Sequence, residues 1–173
     1  QQASMSVTIN GDRCVVEGYT HEQKEPVVIE ATPKMSIYIG TSKGNGGQTI
    51  VFQITGKCKT LTVASSSKVA VVCEDVIAQI EIVRCKQVQF QCTGAVPTLL
   101  VDTSERITCF LNEDKVAGGQ VVTAKSDSVN INIIPTAEDA DTFECALPEQ
   151  IVHTWDAANN KFESKVKGLG EGE

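Results

Sequence analysis

A step of nineteen residues dominates this chain. Leu61, Val63, Ser66, Val69 and Val71 recur as Ile80, Ile82, Cys85, Val88 and Phe90, then as Leu99, Val101, Ser104, Ile107 and Cys109. After three extra residues around Gly118 and Gly119 the pattern returns as Val121, Thr123, Ser126, Val129 and Ile131. A degenerate earlier copy carries Ile37 and Ile39, a glycine-rich loop over 44–47, then Ile50 and Phe52. Each unit holds two short runs of alternating apolar residues joined by a polar corner, and alternation is the strand period. A constant step, with no helix and no hairpin turn between equivalent strands from 56 to 114, stacks each coil on the last in parallel. The expected fold is all-β, a parallel β-helix solenoid of about five coils.

The register predicts interior ladders. One is Ile37, Leu61, Ile80, Leu99 and Val121; a second is Ile50, Val69, Val88, Ile107 and Val129. A third is Ile54, Cys73, Cys92 and Leu111, and a fourth is Cys58, Ile77 and Val96. Cys58, Cys73, Cys85, Cys92 and Cys109 fall on repeat positions and read as core filler. Cys73 and Cys92 stack on neighbouring coils close enough for a disulfide. The odd total of seven cysteines, without a charged-then-apolar leader, favours thiols in a reducing cytosol.

Both ends depart from the repeat. Residues 7–31 read as an N-terminal hairpin and a partial first coil. Pro135 stops the last strand, an acidic loop follows (Glu138, Asp139, Asp141), and Ile151 to Trp155 with Lys161 to Val166 read as a C-terminal β-hairpin extension. The organisation expected is one domain over 1–173, with the β-helix and its leading strands at 7–134 and the loop, hairpin and flexible tail (Gly168 to Glu173) at 135–173. Met5 reads as the natural start. An open solenoid end exposes unpaired backbone, so the hairpin is expected to cover it, on its own chain or a partner's. Outward-facing Leu100 and Val122 form an apolar strip that also asks for a cover.

These features match a known family. Gly56–Lys57, Glu74–Asp75–Val76, the run Val83 to Gln89, Val96–Pro97–Thr98 with Val101–Asp102, Ala124–Lys125–Ser126, Ile134–Pro135–Thr136, and Pro148–Glu149–Gln150 with Trp155 stand in the family's order. Together they resemble the C-terminal (CARP) domain of cyclase-associated proteins. The resemblance implies a right-handed parallel β-helix that forms a homodimer by exchanging its C-terminal hairpin, with Pro148, Ile151, Trp155, Phe162 and Val166 at the dimer interface. It also implies preferential binding of ADP-bound monomeric actin, promotion of its nucleotide exchange, and a cytoplasmic, cytoskeleton-associated protein that is not an enzyme. Larger relatives carry a WASP-homology motif and a helical domain upstream; neither is found here, so an isolated or minimal family unit is expected. The 44–47 loop, Ser66 in place of a frequent family cysteine, and the tail depart from the family.

Candidate contacts follow from the corners. Lys68, Arg84, Lys86, Arg106 and Lys125 line one edge, with Glu105 and Asp127 interspersed, on a chain of formal net charge −7. A basic stripe on an acidic protein suits an acidic partner such as actin. Lys57, Glu74 and Asp75 fall on the other outward corner and match the family pattern; they are further candidate actin contacts. The same net charge argues against nucleic acid, and no apolar run is long enough to insert in a membrane. No catalytic residue, metal site or cofactor is expected: the only histidines are His21 and His153, with no Cys-x-x-Cys pair and no phosphate-binding glycine loop. Two other readings stand: a GTPase activator like tubulin-folding cofactor C, using Arg84 as an arginine finger, and a purely structural dimerisation module. The run Val83–Arg84–Cys85–Lys86 lacks that cofactor's Gln-x-Arg-x-His pattern.

Overall fold

The computed structural model describes residues 5–168; the expectations for Gln1 to Ser4 and for the tail beyond Gly168 lie outside them. The chain folds into β1 (Ser6–Asn10), β2 (Arg13–Glu17), β3 (Val27–Glu30), β4 (Ser36–Gly40), β5 (Ile50–Thr55), β6 (Cys58–Ala64), β7 (Ser67–Cys73) and β8 (Val76–Val83). There follow β9 (Lys86–Cys92), β10 (Thr98–Asp102), β11 (Glu105–Asn112), a helical turn α1 (Glu113–Val116), β12 (Gln120–Ala124), β13 (Asp127–Ile134), β14 (Phe143–Ala146), β15 (Gln150–Asp156) and β16 (Lys161–Lys167). The repeat supplies strands alternately to two sheets. The first runs β1-β2-β4-β6-β8-β10-β12 and the second β14-β13-β11-β9-β7-β5-β3. From β2 to β12 and from β3 to β13 all neighbours are parallel.

This is a β-solenoid of six rungs. The partial first coil expected at the N-terminus is the sixth rung, β2 with β3, led by the antiparallel hairpin β1–β2. The first two interior ladders hold without a slip: Ile37 pairs Leu61, Leu61 pairs Ile80, Leu99 pairs Ile80 and Val121. Ile50, Val69, Val88, Ile107 and Val129 likewise stand one above the next and are buried. Between the sheets Phe52 and Phe90 are fully buried, and Tyr19 meets Phe52 edge-on at 5.7 Å. This apolar spine, removed from water, is what holds the coils together.

The fourth ladder needs correction. Cys58 pairs with Val76, not Ile77, and the register then shifts so that Thr60 meets Gln79. β8 thus carries one extra residue, a bulge that turns Ile77 outward, 48% exposed, while Val76 is 2% exposed. The nineteen-residue step is eighteen at that point. The wider step before Val121 has a physical cause in α1 and the turn at Gly118, where φ is +81°; a helical turn was not expected.

The C-terminal edge also differs. The segment read only as an acidic loop contains β14, which pairs antiparallel with β13 and closes the second sheet. The hairpin β15–β16 forms with Ile151 opposite Val166 and Trp155 opposite Phe162, as the sequence indicates. It does not cover its own solenoid: its residues are exposed on both faces, and β12, the last strand of the first sheet, keeps an unpaired edge.

Candidate functional site

Four of the six rungs turn from the first sheet to the second through a four-residue corner of one shared conformation. The first and fourth residues are left-handed: Ser65 and Lys68, Arg84 and Gln87, Thr103 and Arg106, Lys125 and Ser128, all with φ between +48° and +55°. These paired reversals bend the chain sharply enough to send it back along the other sheet. The second residue of each corner points inward. Ser42, Ser66, Cys85 and Ser104 are buried there, with Ser126 half-buried at the last rung.

The inward serines form a polar ladder inside the apolar core. Each hydroxyl donates to the carbonyl two residues back: Ser66 to Ala64 at 2.9 Å, Ser104 to Asp102 at 2.9 Å, Ser126 to Ala124 at 2.8 Å. It accepts an amide from the rung before: Ser42 N–H to Ser66 at 3.2 Å, Cys85 N–H to Ser104 at 3.1 Å, Ser104 N–H to Ser126 at 3.1 Å. Buried polar groups tolerate the interior only when paired in this way. Cys85 places sulfur where the other rungs place oxygen, and burial raises its thiol above the ordinary range.

Because the corners stack, their outward side chains share one edge. Lys68, Arg84, Lys86, Arg106 and Lys125 stand there, as the sequence indicates. The Lys86 Nζ lies 3.3 Å from Glu105 Oε1 and the Arg106 Nη2 3.8 Å from the same oxygen. The Arg84 Nε donates to Ser65 Oγ at 3.4 Å, and Lys68 Nζ to the Gly46 carbonyl at 3.4 Å. Arg84, Lys86 and Lys125 rim a shallow hollow with Thr103, Glu105 and Asp127. Such solvent-exposed ion pairs contribute little to stability.

Lys57, Glu74 and Asp75 lie on the other edge, where the chain passes from the second sheet back to the first. Two of the three are occupied with the fold. The Glu74 carboxylate accepts the Gly56 amide at 2.7 Å, and Asp75 accepts the Ala95 amide at 3.3 Å. Gly94 has no room for a Cβ, which would sit 2.0 Å from Asp75 Oδ1. The eight sequence-derived positions are thus divided between two edges, five on one and three on the other. What sequence reasoning missed was the left-handed backbone beneath four of the five cations. The signal available was only that no glycine or asparagine marks these corners.

Behind the second edge sit three buried thiols. Cys73 and Cys92 are register partners, and both are free. A hydrogen bond between them raises the Cys73 thiol and lowers that of Cys92, with Cys58 nearby adding to the rise at Cys73. Among the described residues no three His, Cys, Asp or Glu side chains group as metal ligands, and no helix is long and apolar enough to cross a membrane.

The hairpin offers the other candidate surface. One face carries Ile151 and Val166, His153 and Ser164, Trp155 and Phe162 as opposed pairs. The Trp155 and Phe162 rings meet at 5.3 Å, yet remain 52% and 65% exposed. The opposite face carries Val152, Thr154 and Asp156 against Lys165, Glu163 and Lys161. Pro148 lies outside the hairpin, in the link that Leu147 and Glu149 tie to the last rung through the Val129 carbonyl and the Ser128 amide.

The family model described as adenylate cyclase associated (CAP) C terminal matches residues 3–168. Cyclase-associated protein 1 of Arabidopsis thaliana is 37% identical over 142 residues, covering 82% of this chain and 28% of that protein. The adenylyl cyclase-associated protein of Dictyostelium discoideum is 30% identical, with 82% and 29% covered; the human adenylyl cyclase-associated protein 2 is 28% identical, with 91% and 31% covered. The chain therefore spans under a third of the length of these relatives. The crystal structure of cyclase-associated protein from Cryptosporidium parvum superposes with a TM-score of 0.82 at 25% identity, covering 95% of this chain and 96% of that one. A six-rung solenoid with a projecting C-terminal hairpin, matched by the family model along nearly its whole length, belongs to the C-terminal domains of the cyclase-associated proteins.

Proposed function

We propose that this chain binds monomeric actin, preferring the ADP-bound form, and promotes exchange of its nucleotide at the cytoskeleton while working as a homodimer. Family membership motivates the reading, and one observation carries it. Lys68, Arg84, Arg106 and Lys125 all hold left-handed backbone, which costs a residue with a side chain roughly 1 kcal/mol. Glycine or asparagine would be cheaper at each corner. Ser65, Gln87, Thr103 and Ser128 hold the same backbone, so the corner geometry sets the strain; what supports the reading is that four of these eight positions carry long cations on one edge of a chain of net charge −7.

Promoting exchange requires no acid or base. A surface that binds the open-cleft form of actin more tightly than the closed form shifts that equilibrium and loosens the nucleotide. The apolar hairpin face and the unpaired edge of β12 support hairpin exchange between two copies. Each then fills what the other leaves uncovered, and the pair can engage two actins only if both sites are reachable together.

The test mixes the chain with fluorescently labelled ADP-actin monomers. Tighter binding to ADP-actin than to ATP-actin, with faster nucleotide release, is expected. Binding of neither form at high micromolar concentration rejects the reading and leaves a dimerisation module.

A further inference from the structure

We propose that the outward face of the first sheet, over the first three rungs, binds a small phosphate-bearing ligand. Arg13 opens β2, Lys34 stands in the corner before β4, and Lys59 lies near the start of β6. Three separate segments thus bring their cations to one open depression, which Ser36, Thr60 and Asp12 also line. The register makes this convergence a property of the solenoid: Arg13 pairs with Ser36, and Ser36 with Thr60. One cation and two hydroxyls therefore stack in a single column at the inter-strand spacing, about 4.8 Å.

The charges are the unusual part. Arg13, Lys34 and Lys59 are all exposed. The ion pairs found among the described residues are Lys86–Glu105 and Arg106–Glu105, so none of these three has a carboxylate within 4.0 Å. Among the described residues Asp12 is the one carboxylate lining the depression; three cations less one carboxylate leave two positive charges. Glu81, one rung on beside Thr62, is engaged by the Gln79 amide. Like charges gathered without a counter-charge repel, and an anion would relieve that repulsion. A phosphate monoester carries about −1.5 to −2 near neutral pH, which matches the excess. The Arg13 guanidinium offers a fork of donors suited to phosphate oxygens, the ammonium groups add charge, and the Ser36 and Thr60 hydroxyls can donate to a third oxygen. The corner edge differs, since Glu105 already draws on two of its cations.

The experiment follows backbone amide resonances of the full chain during titration with inorganic pyrophosphate and, separately, O-phosphoserine, with sulfate as the comparison anion. Saturable shifts centred on Ser36 and Thr60 are expected for both phosphates and weaker ones for sulfate. Arg13→Gln or Lys59→Gln, each at an exposed position, should weaken binding about tenfold, the loss of one charge-assisted contact. Lys115→Gln, exposed on α1, should change nothing. The proposal is overturned by the absence of saturable shifts at millimolar phosphate. An equal response to sulfate would also overturn it, as would a site that responds only to an oligo-aspartate peptide.

Discussion

The Cys85 amide donates to the Ser104 hydroxyl 3.1 Å away on the following rung. That hydroxyl in turn donates to its own strand at Asp102. Ser104 is 4% exposed, so Ser104→Ala strands a buried amide. It should cost about 1–3 kcal/mol in chemical denaturation, lowering the melting temperature by several degrees. Cys85→Ser should fall within about 1 kcal/mol of the parent, because a hydroxyl there repeats what Ser66 and Ser104 do. If both substitutions behave alike, the serine ladder is not what stabilises the corners.

The bulge in β8 sets Val76 against Ile77. Val76→Ala should cost about 2 kcal/mol and Ile77→Ala no more than about 0.5 kcal/mol, a difference that denaturant unfolding resolves. The sequence favours the reverse, because a nineteen-residue step from Cys58 lands on Ile77. That contrast marks what was legible. Ladders set by long-range repetition, such as Leu61, Ile80 and Leu99, could be read because each rung must bury the same face. The bulge, the turn α1 and strand β14 each occur once, so repetition gives them no support. The hairpin was legible from alternation around Ala157 to Asn160. The basic edge was legible in its membership but not in its backbone, since left-handed Lys, Arg and Thr leave no compositional mark.

That backbone yields a prediction with opposite signs for stability and binding. Arg106→Gly relieves a φ of +55° and gives up only an exposed 3.8 Å ion pair with Glu105. Stability should rise by about 1 kcal/mol. Affinity for the fluorescently labelled ADP-actin monomers should fall. A variant that is more stable and binds unchanged would remove Arg106 from the contact surface.

The hairpin turn has its own titration. The Asp156 carboxylate accepts the side-chain amide of Asn159 at 2.6 Å, the Asn159 N–H at 3.2 Å and the Ala158 N–H at 3.0 Å. These bonds, the Asn159 side chain first, hold its carboxyl below the ordinary value of 3.8. A depressed carboxyl contributes fully above that ordinary value and loses its contribution as pH falls through the lower folded value. The Ala158 and Asn159 amide shifts should therefore stay constant from neutral pH down to about 4 and move only below it. Asp156→Ala should show the loosened turn at every pH. A transition in those shifts well above the ordinary carboxylate range would contradict the assignment.

Hairpin exchange makes the last prediction. Trp155 and Phe162 present a paired aromatic surface on a hairpin that buries neither face in its own chain, while Val122 and the β12 edge stand uncovered on the solenoid. A monomer would leave all of these in water, which soluble proteins seldom do with large apolar patches. The chain should sediment with twice its own mass. Replacing both Trp155 and Phe162 by alanine should weaken the dimer by at least about thirtyfold, as expected for removal of an aromatic anchor worth 2 kcal/mol or more. Thr154→Lys, on the opposite hairpin face beside Glu163, should leave the mass unchanged. Removing residues 148–173 should leave a folded monomer, because β14 still closes the second sheet and the solenoid core lies wholly before it. A dimer that survives the deletion would place the interface on the solenoid itself and rule out the hairpin as the exchanged element.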